Sequence, residues 1–419
     1  MKVFKFGGAS VKDAGGVRNV AEVLKHYTLD DLVVVVSAMG KTTNALEEVV
    51  WAYMDGRDTS VMVTDLEQRH TEILAEVAPG DGVARTALVD RFHTLRNALA
   101  SPVGRDVDHY YDHIVAYGEI WSTVIVSAHL NNVGITNTWL DARTIITTDD
   151  RHRSANVKWE MLAHNCSEHL PAFEQGPVRI VTQGFIGCTE DGDTTTLGRE
   201  GSDFSAAIFA YALDAESVTI WKDVPGMFNA DPHRFPDTRL LEHLSYKEAI
   251  ELSYFGASVI HPRTLQPLQR KGIPLYVRSF LDLDAPGSTI SEATDHDTLI
   301  PSYIVKPDQL LVSITPRDLS FIVEENLGDI FKRFARRNVR IDLMQNSAVA
   351  FTVAIDDTPR ARQLIEELRE EYEVLYNEGC ELLTVRHFDE PTLGVLTAGK
   401  QVLVEQRSRV TARYVLKAM

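Results

Sequence analysis

Ten residues near the middle of the chain, Thr194-Thr195-Thr196-Leu197-Gly198-Arg199-Glu200-Gly201-Ser202-Asp203, gather small hydroxyls, glycines, one arginine and one aspartate. Such a run offers a core almost no apolar area. It suits a loop whose amides and hydroxyls approach a phosphate or carboxylate, with Arg199 as a planar fork for an anion. Thr182-Gln183-Gly184-Phe185-Ile186-Gly187 stands just before it. At the N-terminus, Lys2-Val3-Phe4-Lys5-Phe6 alternates like a strand and stops at Gly7-Gly8. Helical spacing follows through Val11, Val17, Val20, Ala21 and Leu24. Strand, glycine pair and helix make a phosphate-binding layout, because glycines let the backbone approach and a helix N-terminus favours negative charge. The lysine precedes the glycines, so this is neither a Walker A loop nor a dinucleotide fingerprint.

The elements that must position these residues follow from hydrophobic patterning. The continuous apolar run at 32–36 is a strand buried on both faces of a parallel sheet. Residues 44–131 read as helices broken at Pro79-Gly80-Asp81-Gly82 and at Pro102-Val103-Gly104. Further buried strands are expected at 134–140, 178–182 and 217–221. Strands alternating with helices give an α/β domain with helices on both faces, and the motifs fall at strand ends, where open α/β sheets bind ligands. Near residue 290 the character changes. A strand at 311–314, a helix at 327–337, strands at 339–344 and 349–355, a helix at 359–370 and a strand at 381–385 make a βαββαβ order, as in any ferredoxin-like fold.

At 419 residues the chain exceeds one core, so two or three domains are expected. A formal charge of −18 argues against nucleic acid or anionic membrane as a partner, and cations inside motifs matter more than the total. Cys166, Cys188 and Cys380 lie far apart without metal-ligand spacing, which suggests a reducing compartment and packing roles. No apolar signal core opens the chain and no stretch reaches membrane-spanning length, so a cytoplasmic protein is expected.

Lys5-Phe6-Gly7-Gly8-Ala9-Ser10-Val11 resembles the opening signature of aspartate kinases, members of the amino-acid kinase superfamily, and the central run resembles that family's second hallmark. Further matches follow in the family's order: Ser37-Ala38-Met39-Gly40-Lys41-Thr42-Thr43-Asn44, Gly118-Glu119, Trp221-Lys222-Asp223-Val224-Pro225-Gly226, Asp231-Pro232, and Phe255-Gly256-Ala257-Ser258-Val259-Ile260-His261-Pro262. The resemblance implies an α/β fold with an amino-acid-kinase-type, mostly parallel sheet sandwiched by helices (1–295). A smaller α+β ferredoxin-like (ACT-like) regulatory or assembly domain follows (305–419). Aspartate kinases usually carry two such modules. Here about thirty residues follow His387, too few for a second, although 409–416 reads as one more strand. A homodimer is the expected assembly.

The implied activity is transfer of a phosphoryl group from ATP, with Mg²⁺ on the nucleotide, to the side-chain carboxylate of L-aspartate. That carboxylate is ionised well above about pH 3.9 and needs no general base; the obstacle is repulsion between anions, so catalysis is charge neutralisation and positioning. Lys5, with Gly7 and Gly8, fits the γ-phosphate role, and the resemblance implies that Asp203 holds the lysine. Ser10 and Ser37 join the glycines on the phosphate side. Arg199 is the bidentate clamp for a substrate carboxylate. Glu119 matches the family's partner for the ammonium, and Thr43, Ser37, Gly201 and Ser202 match its aspartate-side positions. Lys222, Asp223, Phe228, Asp231, His233, Arg234, Ser258 and Val259 fall in the nucleotide-binding segments. Where the family often has arginine after Asp-Pro this chain has His233 and then Arg234, and Ser258 replaces a frequent lysine. Arg263 is expected to supply that cation. Ala9 for threonine and Glu200 for glycine are milder departures, and Glu200 adds negative charge by an anionic site. No protein metal ligands are assigned. Two other readings stay open: a glutamate or acetylglutamate kinase on the same scaffold, or a non-catalytic amino-acid sensor built on the ACT-like part.

Overall fold

The computed structural model describes residues 1–102, 106–170, 177–257, 260–318 and 320–418. β1 (Lys2–Phe6) leads to α1 (Ala14–Lys25), whose N-terminus is capped by the Asp13 carboxylate accepting from the Gly16 amide at 2.8 Å. β2 (Leu32–Val36) is leucine followed by four valines, buried at every position. Four helices follow: α2 (Thr42–Met54), α3 (Ser60–Val77), α4 (Gly82–Leu99) and α5 (Val107–Asn132). The sequence suggested one helical stretch up to Pro79; instead the chain breaks after Met54, where Gly56 takes a φ of 69° that ends the helix cheaply. Val103 and Gly104, part of the second expected break, lie outside the described residues.

Next come β3 (Thr138–Leu140), α6 (Trp159–His169), β4 (Arg179–Gln183), β5 (Ile186–Cys188), β6 (Thr194–Thr196), α7 (Gly201–Ala212) and β7 (Ser217–Lys222). β8 (His243–Ser245), α8 (Tyr246–Phe255), α9 (Pro262–Lys271), β9 (Leu275–Ser279) and β10 (Ser288–Ser291) follow. Eight strands form one sheet in the order β3-β4-β2-β1-β7-β9-β10-β8, parallel except for β9 against β10. The mostly parallel α/β sheet is the one the sequence predicts. Its register decides the chemistry. Phe6 pairs with Val36 on one side and Trp221 on the other, and Val36 pairs with Gln183. The C-terminal ends of β4, β2, β1 and β7 therefore lie level, and the motifs at Lys5, Ser37, Gln183 and Lys222 sit at these ends, whereas Glu119 comes from the middle of α5.

The chain divides into two compact units. The first is built on Met1–Met227 with two later segments; the second runs from Asp295 onward and takes in Phe228–Arg239 and a short stretch from Glu251. In the second unit are β11 (Ser302–Pro316), α10 (Glu324–Arg336), β12 (Ile341–Asn346), β13 (Phe351–Asp356), α11 (Pro359–Leu368) and β14 (Tyr372–Arg386). Then come α12 (Glu390–Thr397), β15 (Lys400–Arg407) and β16 (Thr411–Ala418). They form an antiparallel sheet ordered β12-β13-β11-β14-β16-β15, whose first four strands have ferredoxin-like order. Val312, Ile314, Val353, Ile330, Phe334, Leu364 and Leu368 fill the core between sheet and helices. Two expectations change here. β11 and β14 are each 15 residues long, where the sequence suggested only 311–314 and 381–385, and their outer halves pair with each other and carry β16. The tail is a helix and two strands rather than one strand, because β15 is largely exposed and shows little apolar alternation.

Candidate active site

A cleft of about 590 Å³ opens over the level strand ends of the first unit, a size ordinary for a small-molecule site. Lys5, from the end of β1, reaches into it and pairs with Asp203 on the first turn of α7, Nζ to Oδ1 at 2.5 Å. Lys222, from the end of β7, stands 3.7 Å from the other Asp203 oxygen. Burial alone drives the Asp203 carboxyl up; the Lys5 and Lys222 ammoniums outweigh it and hold the carboxyl below the usual carboxylate range. The result is two cations bridged by one buried anion beside a helix N-terminus, a place of net positive charge.

Backbone proximity makes this possible. A Cβ at Gly8 would come within 2.7 Å of the Ala38 carbonyl oxygen, and the Gly8 carbonyl accepts from the Gly40 amide at 3.0 Å. A Cβ at Gly184 would stand 2.4 Å from that of Ser202. Glycine at these points lets the loops after β1, β2 and β4 crowd around α7.

Glu119 is the second buried acid, 3% exposed on α5. Burial pushes its carboxyl up to about 8, against the Ala38 amide, the Lys5 charge and the Ser202 hydroxyl, which pull it down. Its Oε2 is buried and accepts no hydrogen bond. Arg199 lies exposed on the rim of the same cleft. Ser37, Thr43, Gly201 and Ser202 also line it.

Other assigned residues go elsewhere. Ser10 donates its hydroxyl to the Trp221 carbonyl at 3.4 Å, tying the β1 loop to β7 instead of facing a phosphate. Arg263 does not enter the cleft; its guanidinium donates to the Leu197 carbonyl at 2.9 Å and lies 4.7 Å over the Phe204 ring. It braces the Arg199 loop from behind. Gly7, 3.3 Å from the Lys5 ammonium if given a Cβ, and exposed Asp223 are not among the lining residues. Phe228, Asp231, His233 and Arg234 belong to the second unit, where Arg234 pairs with Glu381 at 3.0 Å and Asp231 caps the His233 amide at 2.9 Å. Ser258 and Val259 lie outside the described residues.

The sequence missed Tyr111 and Arg153, which line the cleft with the Arg153 guanidinium 4.2 Å over the Tyr111 ring. Behind them, fully buried Asp112 accepts from the Arg153 amide, His152 Nδ1, and both the amide and hydroxyl of Thr196 at 2.6–3.1 Å. Thr196 is thus a loop-shaping residue, and Arg153 is held at a φ of 63° by those bonds. The one available signal was a charged run, 149–153, with no apolar purpose. Glu200, at a φ of 54°, also lines the cleft; burial and then Asp203 raise its carboxyl, and its Oε2 accepts no hydrogen bond.

The sequence profile of the amino acid kinase family matches residues 1–279. The chain is 30% identical over 404 residues to lysine-sensitive aspartokinase 3 of Escherichia coli, covering 91% of this chain and 86% of that protein. The chain belongs to the amino acid kinase family, among its aspartokinases. A solved structure of E. coli aspartokinase III in complex with aspartate and ADP superposes with a TM-score of 0.81 at 27% identity, covering 100% of this chain and 96% of that one. A chloroplastic bifunctional aspartokinase/homoserine dehydrogenase 2 of Arabidopsis thaliana is 33% identical over 303 residues, 70% of this chain. This aspartokinase-family chain spans about a third of the length of that bifunctional relative. Among the described residues no helix is long and apolar enough to cross a membrane.

Proposed function

We propose that the chain is an ATP-dependent aspartate kinase that converts L-aspartate to 4-phospho-L-aspartate, the first step toward lysine, threonine and methionine. The observation that carries this reading is Glu119: a buried carboxyl with an unpartnered oxygen, in the same cleft as the Lys5–Asp203–Lys222 group and Arg199. A free ammonium is what such a group lacks. An aspartate placed with its ammonium on Glu119 and its α-carboxylate in the Arg199 fork points its side-chain carboxylate toward Lys5. There the Lys5 and Lys222 charges and the α7 N-terminus offset the repulsion between that carboxylate and the triphosphate. Mg²⁺ would arrive on the nucleotide; Glu200 Oε2, buried without a hydrogen bond beside Asp203, is a donor that fits it, directly or through its waters. The ion supplies neutralisation of the phosphate oxygens.

The second unit reads as an ACT-like regulatory or assembly domain, the chain as a homodimer, and its compartment as the cytoplasm. An N-acylated substrate such as acetylglutamate is disfavoured, because it would leave Glu119 without a cation. A non-catalytic sensor would have no use for two lysines focused on one buried aspartate. Coupled ADP-release assays with aspartate, glutamate and acetylglutamate in parallel test the reading. Turnover with aspartate alone is expected; preference for either competitor, or no turnover with any, overturns it.

A further inference from the structure

A second cluster lies on the first unit apart from the cleft's lining. His109 and His113 are one turn apart on α5, so their side chains share a helix face, and their ring centroids are 4.3 Å apart. Asp193, immediately before β6, faces both: its Oδ1 is 3.7 Å from His109 Nε2 and 3.6 Å from His113 Nε2. Among the described residues this is the one group of three or more His, Cys, Asp or Glu whose ligand atoms all fall within 4.8 Å of one another.

We propose that His109, His113 and Asp193 form a binding site for a divalent transition-metal ion of the Zn²⁺ type. A tetrahedral Zn²⁺ with bonds of about 2.0–2.1 Å to nitrogen and oxygen sets its ligand atoms about 3.3–3.4 Å apart. The Asp193 oxygen is within a few tenths of an ångström of that spacing from both imidazoles before any ion is added. Two imidazoles and a carboxylate suit Zn²⁺ and its neighbours and do not suit Mg²⁺, which prefers an all-oxygen shell. The fourth position belongs to water, for His113 and Asp193 stay about two-fifths exposed while His109 is nearly covered.

The ligands are held in place by their surroundings. Asp193 closes a tight turn in which its amide donates to Thr189 Oγ1 at 3.1 Å and its carbonyl accepts from the Thr189 amide at 2.9 Å. His109 packs on the His152 ring at 5.0 Å, and His152 is anchored on buried Asp112. An ion here ties the β5–β6 turn to α5 within one helical turn of the Thr196–Asp112 bonds. It stiffens the strand from which the Arg199 loop departs. Sequence spacing offered only the His109-x3-His113 pair, because the third ligand comes from a distant hairpin.

The test is Zn²⁺ binding to the chelator-treated full chain in millimolar Mg²⁺, by competition with a chromophoric chelator. Visible absorption on Co²⁺ substitution reads the coordination geometry. One equivalent per chain with micromolar or tighter affinity is expected, together with a metal-dependent rise in melting temperature. His113→Asn and Asp193→Asn, both at partly exposed positions, should each weaken binding about tenfold or more, whereas His164→Asn on α6 should not. Metal-free melting temperatures confirm that the variants fold. No uptake at about 100 μM Zn²⁺, or unchanged affinity in folded His113→Asn and Asp193→Asn, overturns the proposal.

Discussion

Lys5 Nζ stands 2.5 Å from Asp203 Oδ1, with both side chains almost wholly buried. A β-strand end and a helix start thereby share one ion pair at the point where the cleft is deepest in charge. Lys5→Ala should lower kcat by about 10²–10³ and change the aspartate KM little, because the lysine acts on charge at the transferring group. Steady-state kinetics decide; a variant keeping most of its turnover removes Lys5 from the chemistry. Asp203→Asn removes the carboxylate that bridges Lys5 and Lys222, which should cost about 3 kcal/mol of stability. Urea unfolding reads that loss.

Glu119 makes aspartate binding pH-dependent. With its carboxyl pushed up to about 8 in the free protein, it is mostly protonated at pH 7. An arriving ammonium returns it to the carboxylate, so binding at pH 7 should release about one proton. Calorimetry in buffers of different ionisation enthalpy measures the release, and Glu119→Gln should abolish it while raising the aspartate KM. The sign for stability follows from the same shift. A folded pKa above the unfolded one favours the folded state below pH 4, and this contribution is lost as pH rises through about 8. Melting curves from pH 5 to 9 should fall less steeply for Glu119→Gln.

Arg199 is exposed, so its replacement should leave stability unchanged. Arg199→Ala should raise the aspartate KM by tenfold or more, and Arg199→Lys should be nearly as poor because an ammonium cannot reproduce the fork. The ATP KM should stay put in both. A shift confined to ATP would place Arg199 on the nucleotide side.

Regulation should be weak. The loop before α10 carries Glu324 and Glu325 into the helix's first turn, which suits the dipole but opposes an effector's carboxylate. Beyond the first ferredoxin-like module, β15 and β16 extend the same sheet, and α12 packs on it around Leu383, Val385, Leu393, Tyr414 and Leu416. Millimolar lysine or threonine should change activity at limiting aspartate less than about twofold; cooperative inhibition by either would defeat this expectation.

The motifs legible in the sequence were those whose chemistry lies in the residue type and its immediate neighbours. Lys5 before two glycines and the hydroxyl-rich run ending at Asp203 announce a strand end and a helix start, whereas Glu119, read from sequence as the head of a helix, sits in the middle of α5 and reaches the cleft from there. Ser10 and Arg263 misled because a hydroxyl or guanidinium in a motif can be spent on a backbone carbonyl, and only packing shows which.

Sequence by itself determined the parallel α/β core, the βαββαβ order and cleft residues such as Lys5, Arg199 and Asp203, since apolar period and glycine placement are local properties. Tertiary structure decided the rest. It raised Glu119 by burying it, placed Arg153 and Tyr111 on the cleft through Asp112, and joined the tail to the second sheet. Each of these depends on groups far apart in the chain, where desolvation and hydrogen-bond geometry act through space and leave no periodic trace.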